Sequence, residues 1–399
     1  MKQLRFAAAF AVLVLAGCTS TDPAKNNDNN TAVAGTGGDG GSGSLTTGGA
    51  SGGGAGGSGM VTGGAPAGGG GAGGSAGGAT GGTGGAGGTG GAPNLQPMML
   101  SETGLYSDTA AGTLAPGVMQ YAPQFTLWSD SAAKKRWAYI PPGSKITTTN
   151  MDFWVYPVGT KFWKEFTRND AMGNPVRVET RLLWKQVSGA AGWYMMAFKW
   201  NAAQTDAVAT PDGEVNASGT PHDIPSQENC STCHRNMSDR VIGFSAVQLS
   251  HAKADANDTT IDDLIAMNLL SAPPAAAFTL PGNDVDKAAI GYLHANCGMC
   301  HNEHSNVFIT KINDMDLWLH VAPDAAHPVY GDLTSVQTTG AYLGLVNKDT
   351  KKGNILGATK RLVPGDPVHS AVYQVMSVRD VMPGADPAAD AGADGGMVS

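Results

Sequence analysis

Four of the five cysteines in this 399-residue chain stand in two copies of one pattern, Cys230-Ser231-Thr232-Cys233-His234 and Cys297-Gly298-Met299-Cys300-His301. Two thiols separated by two residues and followed at once by histidine is the spacing for covalent attachment of haem c. On a helical turn, residues three apart point the same way. Both thiols can then add to the vinyl groups on one porphyrin edge while the next imidazole reaches the iron as its proximal ligand. Two CxxC pairs are also what a four-cysteine zinc knuckle needs, or two disulfides. Neither explains a histidine directly after the second cysteine in both copies. The pattern predicts two covalent haems c, attached at Cys230, Cys233, Cys297 and Cys300, with His234 and His301 on the irons.

The fifth cysteine, Cys18, bears on the compartment. Residues 1–18 carry Lys2 and Arg5, an apolar run from Phe6 to Leu15, and then Leu15-Ala16-Gly17-Cys18. These are the parts of a secretory signal, and a cysteine straight after Ala-Gly is the lipoprotein form of it, with cleavage before Cys18 and acylation of its thiol. The run is well short of the roughly 20 residues that span a bilayer. Thr19 and Ser20 follow the cysteine, where an aspartate would favour the inner membrane, so the expected location is the cell envelope, lipid-anchored at the outer membrane. Export fits the cysteine usage, because an oxidising periplasm closes idle CxxC pairs into disulfides and attachment to haem uses them.

From Thr19 to about residue 97 almost nothing can pack. Between Gly35 and Gly91 more than half the residues are glycine, a composition that behaves as flexible coil with a reach on the order of 40–50 Å. Residues 19–97 therefore read as a tether between a lipid and a folded part of roughly 300 residues. The net charge of −8 and the absence of a basic cluster argue against nucleic acid. A redox partner protein is the expected partner, with small basic proteins the electrostatic expectation.

The elements that must position the two motifs change character along the chain. Seven of the eight tryptophans lie between Trp128 and Trp200. There Val176, Val178, Thr180, Leu182 and Trp184 alternate with Arg177, Glu179, Arg181, Leu183 and Lys185, the period-two pattern of a strand. Trp193–Trp200 reads as its partner across a turn at 188–192, and Met151–Tyr156 with Lys161–Phe166 reads as a second hairpin. Residues 98–220 are thus expected to form an antiparallel, sandwich-like β domain, its aromatics core rather than a ligand platform. Ser129-Asp130-Ser131 and Lys134-Lys135-Arg136 read as a solvated loop.

Beyond Pro221 the spacing turns helical. Ile224-Pro225-Ser226 offers a break and a cap before a short helix bearing the first CxxCH, within a segment 221–283 that also holds the Ile261, Leu264, Ile265, Leu269 stripe. Asn283 or Asp284 caps a further helix, with Ala288, Ala289, Tyr292 and Leu293 on one face, that delivers Cys297–His301 at its end. Pro364-Gly365-Asp366-Pro367 then gives a turn, an N-cap and a first-turn proline before Val368, Ala371, Val372, Val375 and Met376. Val381-Met382-Pro383-Gly384 follows. Residues 284–390 resemble a class I cytochrome c domain, which implies Met382 as sixth iron ligand; a thioether there stabilises ferrous iron. Residues 391–399 read as a disordered tail.

The longer arrangement resembles a largely uncharacterised family of exported bacterial multihaem cytochrome c-like proteins that join a Trp-rich β region, a CxxCH segment and a terminal cytochrome c domain. The matching phrases are Leu127-Trp128-Ser129-Asp130, Phe153–Phe166, Ile224-Pro225-Ser226, Tyr292-Leu293-His294-Ala295-Asn296-Cys297 and Pro364-Gly365-Asp366-Pro367. The resemblance implies haem and secretion but no substrate. Gly384 stands where many such tails carry a second proline. Met315 is a rival to Met382, whereas Met237 and Met299 are too near their own histidines in sequence to reach the opposite haem face. For the first haem, Met267 and His251 are the candidate sixth ligands; His222, His294, His304, His320, His327 and His369 read as surface residues. Two function classes follow. One is a lipid-anchored dihaem electron carrier. The other is a haem enzyme, peroxidase-like or another small-molecule oxidoreductase, with an open first iron.

Overall fold

The computed structural model describes residues 96–129, 131–310, 312–322 and 331–377. Cys18 with the signal and nearly all of the tether, Asp130, His327, Met382 and the tail lie outside the described residues. No helix among the described residues is long and apolar enough to cross a membrane.

The fold is mixed α and β. A short pair, β1 (Tyr106–Asp108) and β2 (Thr113–Leu114), precedes a six-stranded antiparallel sheet. That sheet is formed by β3 (Met119–Gln120), β4 (Ala133–Tyr139), β5 (Lys161–Asn169), β6 (Pro175–Lys185), β7 (Trp193–Trp200) and β8 (Ala207–Ala209), and its order is the chain order. Each strand simply turns back on the last. The predicted β6–β7 hairpin is present, with Leu182 opposite Met196 and Lys185 opposite Trp193. The second predicted hairpin is not. β5 pairs instead with β4, Lys135 opposite Glu165 and Trp137 opposite Trp163. The residues read as a solvated loop, Lys134-Lys135-Arg136, are therefore strand, and Arg136 is buried. Residues 151–156 are held outside the sheet, with one bridge from Val155 to Thr147.

The sandwich expectation is corrected as well: both faces of the sheet are covered, but not by a second large sheet among the described residues. One face packs Trp137, Trp163, Leu182, Met196, Phe198 and Trp200 against Leu100, Leu105 and Tyr106 of the preceding strap. The other packs Ala138 and Phe162 against Trp154, Tyr156, Phe244, Leu249, Ile261 and Leu264. Each of these large side chains contributes on the order of 3 kcal/mol by leaving water, which accounts for the tryptophans as core. Because both faces are covered, the polar side of β6 had to find partners. Glu179 accepts from Arg181 at 2.6 Å and meets His222 at 2.7 Å, and Lys185 pairs with Asp239 at 2.6 Å.

Among the described residues, six α-helices carry the remainder: α1 (Cys230–His234), α2 (Ile261–Ala266), α3 (Asp284–Asn296), α4 (Asn306–Thr310), α5 (Gly340–Leu345) and α6 (Ala371–Ser377). α3 is the longest, and its start is specified locally. The Asn283 side chain accepts from Val285 N and Asp286 N, and Asp286 returns a bond to Asn283 N, a capping box. Its buried stripe is Asp286, Ala289, Ile290, Leu293 and His294, packed with Leu317, Leu319, Val336, Ala341, Leu345 and Leu362. α6 starts later than its turn predicts, because Asp366 folds the preceding residues onto itself through His369 N and the Ser370 hydroxyl. The cores ignore the expected boundaries at 220/221 and 283/284. Sheet residues share one cluster with Phe244–Leu270, and Phe125 and Val247 sit in the core of α3.

Candidate functional site

The first motif is set by the break that the sequence shows. Ser226 Oγ accepts from Asn229 N at 3.3 Å and α1 begins at the next residue, ending on His234. The chain then turns so that the Arg240 carbonyl accepts from His234 Nδ1 at 2.5 Å. That bond fixes the tautomer: the proton sits on Nδ1 and Nε2 keeps its lone pair. Burial lowers the His234 pKa to about 4, so the ring is neutral at pH 7, the form that ligates iron.

The second motif continues the line of α3. Cys297 N and Gly298 N both bond to Leu293 O, and Cys300 N and His301 N both bond to Cys297 O. Gly298 is required by space, since a Cβ there would lie 2.6 Å from His294 O and 3.1 Å from Leu317 O. His301 is buried, and its carbonyl accepts from Leu317 N at 2.9 Å. Burial first, and the Arg361 charge second, lower its pKa to about 4, with the Met315 carbonyl pushing weakly the other way. Its Nδ1 is buried without a well-formed hydrogen bond. Arg361 is itself buried, tied to Asp314 at 2.8 Å and to Gly344 O at 2.7 Å.

The motifs, whose corresponding residues are 67 positions apart in sequence, meet in space. Cys233 and Cys300 border one cluster with Phe153, Met237, Met299 and Trp318. Two asparagines lock it: Asn236 Nδ2 lies 3.5 Å from Cys300 Sγ, and Asn302 Nδ2 lies 3.9 Å from Met237 Sδ. The methionines set aside for closeness to their own histidines therefore pack between the motifs. All four cysteines are half-buried thiols. Burial raises Cys297 to about 12 and also raises Cys300, which suppresses the thiolate and with it disulfide exchange. Among the described residues no three His, Cys, Asp or Glu side chains converge on a metal position, so the thiols are not arranged as a zinc knuckle.

Three histidines read as surface residues are interior ones. His222 lies on Glu179. His294 accepts from Leu319 N through Nδ1 and lies tilted against the Trp318 ring, with its Nε2 buried and unpartnered; burial lowers it to about 3. His320 is clasped at both nitrogens, Nδ1 by Asp152 at 3.2 Å and Nε2 by Asp316 at 3.0 Å. Burial alone would lower its pKa, but the two carboxylates outweigh it and raise the value to about 9. His304 and His369 are exposed, as expected. Of the two candidates for a sixth ligand at the first motif, His251 faces the carbonyls of Ala252 and Ala122 with its two ring nitrogens, and Met267 is exposed.

The residues missed from sequence are Asp152, Asp316, Asp239, Arg240 and Arg361. Asp152 lies in a stretch that reads as strand, and its partners are about 170 positions away, so no local spacing marks it. Comparison with family models, with curated proteins and with solved structures gives no match to this chain.

Proposed function

We propose that this chain is an exported, lipid-anchored dihaem c-type cytochrome that transfers electrons. The observation that carries the reading is the convergence of two CxxCH motifs on one cluster, each with paired thiols and a neutral histidine, half-buried at His234 and buried at His301. The residues present fit the group. The Arg240 bond leaves His234 Nε2 available, and His301 is buried with the Met315 carbonyl close to its ring. Bound there, haem c would supply one-electron Fe(III)/Fe(II) chemistry. The chain's own part is to hold the thiols three residues apart on helical turns and to keep both imidazoles neutral. The surrounding Phe153, Trp318, Met237 and Met299 exclude water, and exclusion of water favours the less charged ferrous state. Residues 284–390 are read as the cytochrome c-type domain with Met382 as sixth ligand. Met315, the rival, has its backbone carbonyl near the His301 ring, a position that favours Met382 in this reading. Cys18 is read as the acylated anchor.

A second reading, a haem enzyme, is favoured by one observation: both ring nitrogens of His251 face backbone carbonyls and Met267 is exposed, so neither is poised as a sixth ligand and an iron held at the first motif would be open to a small molecule. The test is a pyridine haemochrome count on membrane and soluble fractions of cells with cytochrome c maturation. Two haems per chain are expected in the membrane fraction, one in Cys230→Ala and one in Cys297→Ala, with release to the soluble fraction in Cys18→Ser. A wild-type count below two would sink the dihaem reading. Cyanide binding by a high-spin component in the two-haem protein would favour the enzyme over the carrier.

A further inference from the structure

Arg240 is a non-glycine residue in the left-handed region, at φ +64°, a conformation that side chains with a Cβ adopt rarely and that clusters at functional sites. What this backbone does is visible: it turns the Arg240 carbonyl onto His234 Nδ1. What holds it is the end of the sheet. The neighbouring Asp239 carboxylate is buried and accepts four hydrogen bonds, from Lys185 Nζ at 2.8 and 2.6 Å, from Trp193 Nε1 at 3.0 Å and from Tyr156 N at 2.7 Å. Arg240 Nε donates to Ala190 O at 3.1 Å, in the turn between β6 and β7.

The geometry points to Asp239 and Arg240 as a positioning pair through which the Trp-rich sheet fixes the tautomer and orientation of the first proximal histidine. The inference rests on the haem reading of the first motif. It gives the sheet a role that its tryptophans, being core, do not supply: a rigid anchor for the His234 shell. A carbonyl accepting from the distal nitrogen of a ligating imidazole raises the basicity of the ligand and so stabilises ferric iron. Loosening the pair should make the first centre easier to reduce and leave the second, whose histidine has a different surround, unchanged.

The experiment is a spectroelectrochemical titration of the full-length, two-haem protein with Arg240→Ala, Asp239→Asn and Arg240→Lys. Asp239→Asn disturbs a buried pair with Lys185 and can fail to fold, whereas Arg240→Ala removes one bond of a half-buried side chain and keeps the proposal testable. In Arg240→Ala the ferrous-to-ferric equilibrium of the first centre is expected to shift about tenfold toward ferrous, ~59 mV for one electron, with both haems attached. Arg240→Lys, which cannot reproduce the Nε–Ala190 bond, should behave like the alanine variant. Unchanged potentials in Arg240→Ala would overturn the proposal, and so would an equal shift at both centres, which marks general loosening. Absence of haem from the wild-type protein is the separate failure of the reading beneath it.

Discussion

His320 and His294 are both buried, yet their surroundings push them in opposite directions. His320 faces Asp152 and Asp316, with Glu303, His304 and His294 as the other titratable groups of its neighbourhood. Its folded pKa of about 9 is above the ordinary value of 6.5, so its contribution to stability is complete below about pH 6.5 and is lost as pH rises through 9. His294 is lowered to about 3; it must stay neutral to remain folded, and its contribution is present above 6.5 and lost as pH falls. Stability of the protein carrying the proposed haems should therefore peak near pH 6.5 and decline on both sides. One proton corresponds to ~1.4 kcal/mol per pH unit at full slope. Urea midpoints measured from pH 5 to 9.5, above the ordinary carboxylate range, are expected to lose their alkaline limb in His320→Gln and much of their acid limb in His294→Gln. An alkaline limb that persists in His320→Gln would show that the clasp is not its source.

At the scale of elements, α3 is the piece on which the second motif depends, and Gly291 is its least replaceable position. A Cβ at Gly291 would fall 2.2 to 2.4 Å from three ring atoms of Phe125. The ring arrives there because Phe125 N is bonded to Gln248 Oε1 and Trp128 N to Asn296 Oδ1. Gly291→Ala should cost about 1–3 kcal/mol, as overpacking does. In Phe125→Ala the same substitution should cost much less, so a double-mutant cycle by denaturant unfolding should show strong coupling; additive effects would mean that the ring moves aside freely. The sequence shows α3 plainly, through Asn283, the apolar stripe and Cys297, and shows the β6–β7 pair through its alternation. Such signals are local. β4 was hidden because Lys134-Lys135-Arg136 resembles a solvated turn, and its strand character comes from pairing with β5. The motifs themselves were legible as chemistry, but their meeting was not, since Asn236 and Asn302 carry no pattern until the chain brings them to Cys300 and Met237.

At the scale of the whole molecule, the described residues are one packing unit despite the change from strand to helix in the sequence. The core of α3 takes Phe125 and Val247 from before residue 283, and the cluster at the motifs takes Phe153 and Met237. Loss of a buried Phe costs about 3–5 kcal/mol and of a buried Met about 2–5. Losing all of these partners together is comparable with the entire stability of a domain, about 5–15 kcal/mol. A chain of residues 281–399, although it contains α3, the second CxxCH and Met382, is therefore expected not to fold alone. Made with cytochrome c maturation, it should unfold without a cooperative transition and bind a hydrophobic dye strongly, whereas residues 96–399 should melt in a single step. The contrast matters for function, because an autonomous cytochrome could dock and exchange electrons without the sheet, while a shared core obliges both proposed centres to move as one body. A sharp thermal transition in the 281–399 chain, with haem attached, would show that the cytochrome-like part is independent and that the shared clusters contribute little.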